Sequence, residues 1–333
     1  MKNFSVVIFG ILLCLVAVFG FCSSSPSGHS RQNNNDTVCF RMSTSPVIPE
    51  KVDFAGEPMP LEFFDVRESL ERDLIVNMNF HSNTLQYLKR VARYFPVIEP
   101  ILKANGIPDD FKYLSLIESD FLNKVSPKGA TGFWQFMKNA AVEYGLEVNS
   151  EVDERYHVEK STVAACKYLN EAYRIFGSWT MAAASYNMGK AGLTRQVKRQ
   201  QCDYYYDLLL NEETMRYIYR ITAVKLILTE PEKYGFHVPD NEKYPVILFT
   251  ETEVKTSVAD WTDFAFKHQT NYKILKYLNP WLRDSKLTNA AKKNYKIKIP
   301  SERFRGDSKH RIDEKEIEEI EQESKKSTLE VQE

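Results

Sequence analysis

A short helical stretch that carries one carboxyl group constrains this chain more than any other feature. Apolar side chains recur every fourth position at Tyr113, Ile117 and Phe121, which predicts one buried helix face. Pro108 and the two acids after it are typical of a helix start. Glu118 lies at the edge of this face, where burial disfavours the charged form. We therefore expect Glu118 to have a raised pKa, as a general acid requires near neutral pH.

The same pattern has a structural interpretation. Glu118 could instead be a border glutamate that bonds a backbone group or an arginine, and the helix pattern alone favours that interpretation. Asp120 lies two positions further on, about 200° around the helix. It cannot share a face with Glu118, so the sequence shows no local pair of carboxylates.

The composition excludes some classes of function. The 333 residues have a formal net charge of -1, which gives no reason to expect a nucleic-acid partner. A hydrophobic content of 43% suits a globular protein with a well-filled core. The spacing of the five cysteines resembles no metal site, and no metal or other cofactor is predicted. Cys166 is expected to be a small buried residue, with a Cys166–Cys202 disulfide as the alternative.

An apolar run at residues 6–21 predicts export. It fits a cleaved signal peptide or an uncleaved anchor, and it is near the length of a membrane span. Cys22 suggests a lipoprotein, but Phe21 before it is bulkier than usual at that position. We expect a periplasmic or cell-envelope protein that is membrane-associated through its N-terminus, with the kind of anchor left open.

Helical patterns fill most of the following chain. One is predicted to begin with Thr131 as its N-cap and to end at Gly145, which would place Gln135 in its first turn. The others are predicted over residues 66–77, from 84 to Pro96, 98–103, 158–176, 179–186 and 212–228.

Four ordered motifs carry a family resemblance. They are Glu118-Ser119, residues 126–135 (Ser-Pro-Lys-Gly-Ala-Thr-Gly-Phe-Trp-Gln), residues 185–189 (Ser-Tyr-Asn-Met-Gly) and residues 213–217 (Glu-Thr-Met-Arg-Tyr). Together they resemble the lytic murein transglycosylases, whose catalytic domain is similar to goose-type lysozyme. Within this family, residues 107–110 (Ile-Pro-Asp-Asp) resemble those of the membrane-bound D-type enzymes. Several motifs in order are far more specific than any one of them.

The resemblance implies an active site and a reaction. Its acid would be Glu118, and the substrate-binding residues would be Ser119, Gln135, Tyr186, Asn187 and Tyr217. Trp134 and Tyr186 could stack on sugar rings. The reaction would cleave the β-1,4 bond between MurNAc and GlcNAc in peptidoglycan and close a 1,6-anhydro ring. Tyr219 is the alternative to Tyr217, and each polar residue could also be a helix cap, a surface amide or a core tyrosine.

A second unit follows the helical region. Strand patterns at residues 245–249 and 295–300 flank helical patterns at 263–268 and 271–278. This β-α-α-β order resembles a LysM module, which binds glycan chains. The usual Gly-Asp-Thr after the first strand is replaced by residues 256–260 (Thr-Ser-Val-Ala-Asp), so the resemblance supports the fold more than sugar binding. We expect this unit to be removable without unfolding the catalytic region.

The predicted fold class is therefore mainly α, with a lysozyme-like catalytic domain and a small LysM-like module. The predicted divisions are 1–25 (leader or anchor), 26–94 (tether and helical extension), 95–236 (catalytic), 244–300 (LysM-like) and 301–333 (charged disordered tail, solvated and with a frayed helix). Peptidoglycan strands are the expected partner. The alternatives are a lysozyme-type hydrolase on the same fold and a non-catalytic peptidoglycan-binding protein.

Overall fold

The computed structural model describes residues 44–301 and 314–330. The predicted leader, most of the predicted tether and Cys39 lie outside the described residues. Within the two described ranges, no helix combines the length and the apolar character needed to cross a membrane.

The described chain is mainly helical, which confirms the predicted fold class. Its helices are α1 (Phe64–Asn79), α2 (His81–Ala104), α3 (Phe111–Ser119), α4 (Lys138–Glu143), α5 (Val158–Phe176), α6 (Trp179–Met188), α7 (Lys190–Gln200), α8 (Glu212–Met215), α9 (Tyr217–Thr229), α10 (Trp261–Lys267), α11 (Tyr272–Leu278) and α12 (Glu314–Glu330). Four short strands form two antiparallel pairs: β1 (Asp53–Phe54) with β2 (Glu57–Pro58), and β3 (Phe249–Val254) with β4 (Tyr295–Pro300).

Helix α3 lies at the centre of the catalytic region. Every residue of α3 except Glu118 is buried, so the helix is enclosed on all sides rather than along one stripe. It packs against α2 and α9, and α9 also packs against α1. A helix surrounded in this way leaves its half-buried residue, Glu118, at an opening of the core.

Two helix predictions are corrected by the structure. Residues 81–104 form one helix through Pro96 and Pro100, where two helices were predicted. A proline removes one intrahelical hydrogen bond, but the helix buries side chains both before and after the prolines, and this packing maintains it. Conversely, the helix predicted over residues 212–228 is divided at Arg216 into α8 and α9. The bounds of α5 agree with the prediction, with Gly177 in a left-handed conformation after it.

The N-terminal hairpin holds α6 through one glutamate. Glu57, in β2, accepts hydrogen bonds from the backbone N–H of Trp179 at 2.6 Å and of Thr180 at 2.9 Å. The hydroxyls of Ser178 and Thr180 also donate to it. A carboxylate at a helix N-terminus satisfies free N–H groups and complements the helix dipole. The segment before α1 therefore fixes the helix that carries Tyr186 and Asn187.

The two cysteines in the described part of the chain are free thiols. Cys166 is buried among apolar residues of α5, and burial raises the pKa of its thiol to about 12. The disulfide alternative is therefore wrong for this structure, and the prediction of a small buried residue at Cys166 is confirmed.

The C-terminal unit has the predicted β-α-α-β order with one shifted strand. Strand β4 has the predicted bounds, but its partner β3 runs over Phe249–Val254 rather than residues 245–249. Tyr295, Ile297 and Ile299 of β4 face the core, whereas Val254 is the buried residue of β3. Strand β3 is held mainly by its backbone hydrogen bonds to β4 and buries few side chains. Its sequence therefore lacks the apolar pattern by which a strand is predicted.

This unit shares its hydrophobic core with the catalytic region. Val152 and Tyr156, which precede α5, belong to the same buried cluster as Trp261, Leu275 and Ile297. A backbone bridge joins Val152 to Leu282. The described residues from Ser45 onwards accordingly belong to one compact unit by their contacts.

The charged tail contains a helix in its described part. Side chains 315–324 of α12 are all exposed. A charged, solvated tail with a frayed helix was predicted, and the helix over residues 314–330 agrees with that prediction. Glutamate and lysine are good helix formers, which favours a solvated helix here.

Removing residues 244–333 should destabilise the catalytic region, contrary to the expectation from sequence. The truncation exposes Val152 and Tyr156, and the expected loss is about 3–5 kcal/mol of unfolding free energy, measured by urea denaturation. Removing residues 302–333 alone should change stability by less than about 0.5 kcal/mol. A 244–333 truncation as stable as the full chain would refute the shared core.

Candidate active site

Glu118 lies one residue before the end of the buried helix α3, beside a tyrosine from α9. The Tyr217 hydroxyl donates a short hydrogen bond to Oε1 of Glu118, across 99 positions of sequence. Burial raises the pKa of the Glu118 carboxyl, and the negative charge of Glu213 raises it further. The Tyr217 hydrogen bond and the positive charge of Arg220 act in the opposite direction without cancelling the rise. The predicted direction of the shift is therefore confirmed.

Ser119 lies beneath the acid rather than in an open cleft. Only 1% of its surface is exposed. Its hydroxyl donates to the Ser115 carbonyl at 3.2 Å and accepts from the Phe121 N–H at 3.2 Å. Direct contact with substrate, as predicted, is inconsistent with this burial. The hydroxyl instead fixes the turn at Asp120 and Phe121, both in left-handed conformation, where α3 ends after Glu118.

The turn after Glu118 is also anchored by Asp120. This carboxylate accepts from the Tyr87 hydroxyl at 2.5 Å and pairs with Lys124. The Arg90 guanidinium donates to the Asp120 carbonyl at 3.0 Å. Asp120 therefore has a structural role, in agreement with the prediction that it forms no dyad with Glu118.

Of the two candidate tyrosines, Tyr217 meets the acid. Tyr217 is buried at the start of α9 with its hydroxyl on Glu118, whereas the Tyr219 ring packs against Tyr205 and Tyr206. The preference for Tyr217, based on its place in the fourth motif, agrees with this arrangement.

Tyr186 and Trp134 join the second motif to the third. The Tyr186 hydroxyl donates to the Trp134 carbonyl at 2.7 Å. Burial and then the charge of Glu118 raise the pKa of Tyr186, which places its phenol near the acid. Trp134 is fully buried, and its Nε1 donates to Thr162 at 2.8 Å. The prediction that Trp134 stacks on a sugar ring is therefore wrong, because its ring fills the core.

Asn187 joins the third motif to the fourth. Its Oδ1 accepts from the Thr214 hydroxyl at 2.7 Å, and its Nδ2 donates to Glu213 Oε1 at 3.3 Å. Asn187 is in the last turn of α6, immediately before Met188 and Gly189, as predicted. The Asn187 amide is thus held by hydrogen bonds to two residues of α8.

Sequence reasoning missed two charged groups of this site. Glu213 and Arg220 both act electrostatically on the carboxyl of Glu118. Glu213 is exposed and belongs to the fourth motif, which could have drawn attention to it. Arg220 lies one turn after Tyr217 on α9, so the helical period places the two side chains on neighbouring positions.

Gln135 lies in a turn, not in a helix. Thr131 forms backbone bridges with Val125 and Phe136, and α4 begins only at Lys138. Gln135 itself has a left-handed φ of 46°. Its Nε2 donates to the Gly132 carbonyl at 2.8 Å and to the Lys124 carbonyl at 3.3 Å. The helix predicted from Thr131 is wrong because these backbone bridges and side-chain hydrogen bonds fold the segment into a tight loop.

The loop at residues 129–136, named the glycine loop below, is fixed to the catalytic helix. The Ser115 hydroxyl of α3 donates to the Phe133 carbonyl at 3.2 Å. The structure thus brings Glu118, Tyr217 and Tyr186 together, links Asn187 to Glu213, and places Gln135 on a loop packed against α3. Among the described residues, no cluster of three or more His, Cys, Asp or Glu side chains could hold a metal ion.

Two families match this chain. Residues 96–207 match the transglycosylase SLT domain, and residues 250–303 match the soluble lytic transglycosylase C-terminal LysM-like domain. The first range contains Glu118, Ser119, Gln135, Tyr186 and Asn187. The second begins within β3 as the structure has it.

Curated relatives agree with these families. The membrane-bound lytic murein transglycosylase D of Escherichia coli (strain K12) is 26% identical over 206 residues, which cover 60% of this chain and 45% of that protein. The protein of the same name from Escherichia coli O6:H1 matches equally. A putative tributyltin chloride resistance protein of Alteromonas sp. (strain M-1) is 29% identical over 110 residues, covering 32% of this chain and 53% of that protein. The chain spans about half the length of these relatives.

A pair of glycine variants should test the close packing of the glycine loop. Both Gly129 and Gly132 have positive φ, but a Cβ at Gly132 would lie 2.0 Å from the Arg155 carbonyl oxygen, whereas nothing lies within 4 Å at Gly129. Gly132→Ala should cost about 2–5 kcal/mol of unfolding free energy, and Gly129→Ala about 1 kcal/mol. Equal losses in a denaturation experiment would contradict the contact.

The burial of Glu118 should appear in the pH dependence of stability. A carboxyl whose pKa is raised on folding stabilises the native state below its unfolded pKa, which for a glutamate is near 4.5, and this contribution is lost as the pH rises through the folded pKa. Glu118→Gln has no group to ionise at this position and therefore has no such loss. The melting temperature of this variant minus that of wild type should increase from pH 4 to pH 8. The exposed Glu68→Gln on α1 is the control and should show little change. A pH-independent difference for Glu118→Gln would refute the shift.

Proposed function

From the membership of this chain in the lytic murein transglycosylase family, we propose that it is a peptidoglycan lytic transglycosylase. It cleaves the β-1,4 bond between MurNAc and GlcNAc without water and leaves a 1,6-anhydroMurNAc end. The observation that carries this proposal is the setting of Glu118: a carboxyl near the end of a buried helix, with its pKa raised by burial and its position held by Tyr217.

The reaction needs one group that acts first as an acid and then as a base. The Glu118 carboxyl gives its proton to the glycosidic oxygen as the bond from that oxygen to C1 of MurNAc breaks. The N-acetyl group of MurNAc stabilises the positive charge on C1. The Glu118 carboxylate then accepts the proton of the C6 hydroxyl, whose oxygen bonds to C1. Glu118 thus ends the reaction protonated, as it began. The attacking hydroxyl is held on the same sugar as C1, which raises its effective concentration.

The neighbours of Glu118 have distinct roles in this proposal. Tyr217 orients the carboxyl and stabilises its ionised form through the donated hydrogen bond. Tyr186 carries a neutral phenol beside it. Asn187 and Gln135 offer amides for the N-acetyl group, and Ser119 positions the end of α3. No described contact calls for a metal or another cofactor.

A lysozyme-type hydrolase is the main rival, because Glu213 is a second carboxylate that acts electrostatically on Glu118. Hydrolysis would require a carboxylate that activates a water molecule. Glu213 Oε1 accepts a hydrogen bond from the Asn187 amide at 3.3 Å, so this oxygen is held by a protein group. A wall-binding protein without catalysis would have no use for a glutamate with a raised pKa joined to a buried tyrosine.

We also propose the cellular setting and the division of the chain. The protein acts in the cell envelope after export, associated with the membrane through its N-terminus and with peptidoglycan strands as its partner. The apolar run at residues 6–21 supports export. The proposed regions remain 1–25 for the leader or anchor, 26–94 for the tether and extension, 95–236 for catalysis, 244–300 for the LysM-like module and 301–333 for the tail.

Digestion of peptidoglycan in oxygen-18 water should give new anhydro ends without heavy oxygen. The C6 hydroxyl already lies on the reacting sugar, whereas water needs its own base and its own position. Mass analysis of the released muropeptides makes the measurement. Glu118→Gln should lower turnover by at least about a hundredfold while the protein remains folded.

Glu213→Gln separates the rival mechanisms. The transglycosylase should keep making anhydro ends in this variant. Reducing ends that carry oxygen-18 in wild type, and that disappear in Glu213→Gln, would establish hydrolysis and overturn the proposal.

A further inference from the structure

The two ends of the glycine loop are held by one arginine that precedes α5. The Nη1 atom of Arg155 donates to the carbonyl of Gly129 at 3.0 Å and to that of Phe136 at 3.2 Å. These two carbonyls flank the segment that contains Gln135. A single guanidinium thus closes the loop at both ends.

The rest of the guanidinium is fixed by Asp153. Nε of Arg155 lies 2.9 Å from Oδ1 of Asp153, and Nη2 lies 2.7 Å from Oδ2. Both side chains are about nine-tenths buried, with 11% and 9% of their surface exposed. Such a two-point pair in a water-poor setting fixes the plane of the guanidinium and the direction of Nη1.

The loop also touches the backbone of Arg155. The absent Cβ of Gly132 would lie 2.0 Å from the Arg155 carbonyl oxygen. The Gly132 carbonyl, in turn, accepts from the Gln135 side chain at 2.8 Å. The position of Gln135 is therefore determined through Gly132 by the same residue that binds the loop ends.

The segment that carries Arg155 is attached to the C-terminal unit. The Asp153 N–H donates to the Trp281 carbonyl at 2.9 Å, and the Arg283 N–H donates to the Glu151 carbonyl at 2.8 Å. The Glu151 carboxylate also accepts from the N–H and the hydroxyl of Thr288. Asp153 thus lies on a bridged, extended segment paired with the LysM-like module, and Arg155 follows in a short 3-10 turn.

We propose that Arg155 is a positioning residue for cleavage, which acts by holding the glycine loop so that Gln135 meets the substrate. Asp153 orients the guanidinium, and the C-terminal module holds Asp153 through the Trp281 carbonyl. This inference rests on the proposed function for its kinetic consequence, but the loop geometry can be tested without it. The module thereby helps to hold the glycine loop in position.

Lysine cannot replace arginine in this arrangement. Its single ammonium group cannot span both oxygens of Asp153 and reach the two loop carbonyls, since it lacks the planar fork. Arg155→Lys keeps the charge and removes the geometry. In the full-length protein it should lower kcat on purified glycan strands about tenfold to a hundredfold, because a displaced substrate contact costs that order of rate.

A double-mutant cycle with Gln135→Ala tests whether Arg155 acts through that side chain. The variant Arg155→Lys/Gln135→Ala should lose no more kcat than the worse single variant, because both changes remove one function. Losses that multiply would overturn a role through Gln135. Asp153→Asn gives a second variant with a smaller loss in the same direction.

Hydrogen exchange of the loop amides measures the geometry independently of activity. Amides in residues 129–136 should exchange about tenfold faster in Arg155→Lys, since two hydrogen bonds to the loop are weakened. Arg93→Lys is the matched control. Arg93 also joins the catalytic region to the module, through Pro245 and Tyr277, but does not touch the loop. It should show wild-type kcat and wild-type exchange.

The outcomes separate the two proposals. Wild-type kcat and wild-type loop exchange in Arg155→Lys would overturn the positioning role. Loss of both, with Arg93→Lys unchanged, would support it. If the wild-type protein releases no anhydro ends, the proposed function falls, and the exchange rates alone decide whether Arg155 holds the loop.

Discussion

The hydrogen bond from Tyr217 to Glu118 is the interaction on which the arrangement of this site depends. It joins the end of α3 to the start of α9, two helices that also pack along their lengths. Glu118 loses hydration because every other residue of α3 is buried. A buried carboxyl without a donor would favour its neutral form still more strongly. Tyr217 moderates that preference, so the group can both give a proton and accept one.

The other polar side chains of the site are paired within the protein before any substrate arrives. Asn187 is bound to Thr214 and Glu213, and the Tyr186 hydroxyl is bound to Trp134. Each of these bonds connects segments far apart in sequence. Preorganised groups need little rearrangement when charge develops in the transition state. The four motifs are therefore separate in sequence because each comes from a different element around α3.

Features that depend on local sequence could be predicted, whereas features that depend on residues distant in sequence could not. The bounds of α5 and β4 follow from apolar periodicity and from Gly177 and Pro300. The direction of the Glu118 pKa shift followed from its apolar neighbours alone. The left-handed turn at Gln135 did not, because it results from bridges and from Arg155. The motif drew attention to the loop that carries Gln135, whereas propensity assigned this residue the wrong backbone conformation.

The same limit on prediction from sequence applies to the C-terminal unit. Its β-α-α-β order was visible, but the contribution of Val152 and Tyr156 to its core was not, because neither residue lies in its sequence range. Residues 256–260 replace the glycan-contacting motif of the LysM family. In that loop Val258 forms a two-way backbone bridge with Leu287, and Asp260 caps α10.

These contacts stabilise the module itself. Two further side chains of the module contact the catalytic region: the Arg283 guanidinium lies 4.1 Å from the centre of the Tyr156 ring, and Lys298 pairs with Glu159. Because Tyr156 follows Arg155 directly and Glu159 lies in the first turn of α5, these contacts connect the module to the segment that carries Arg155.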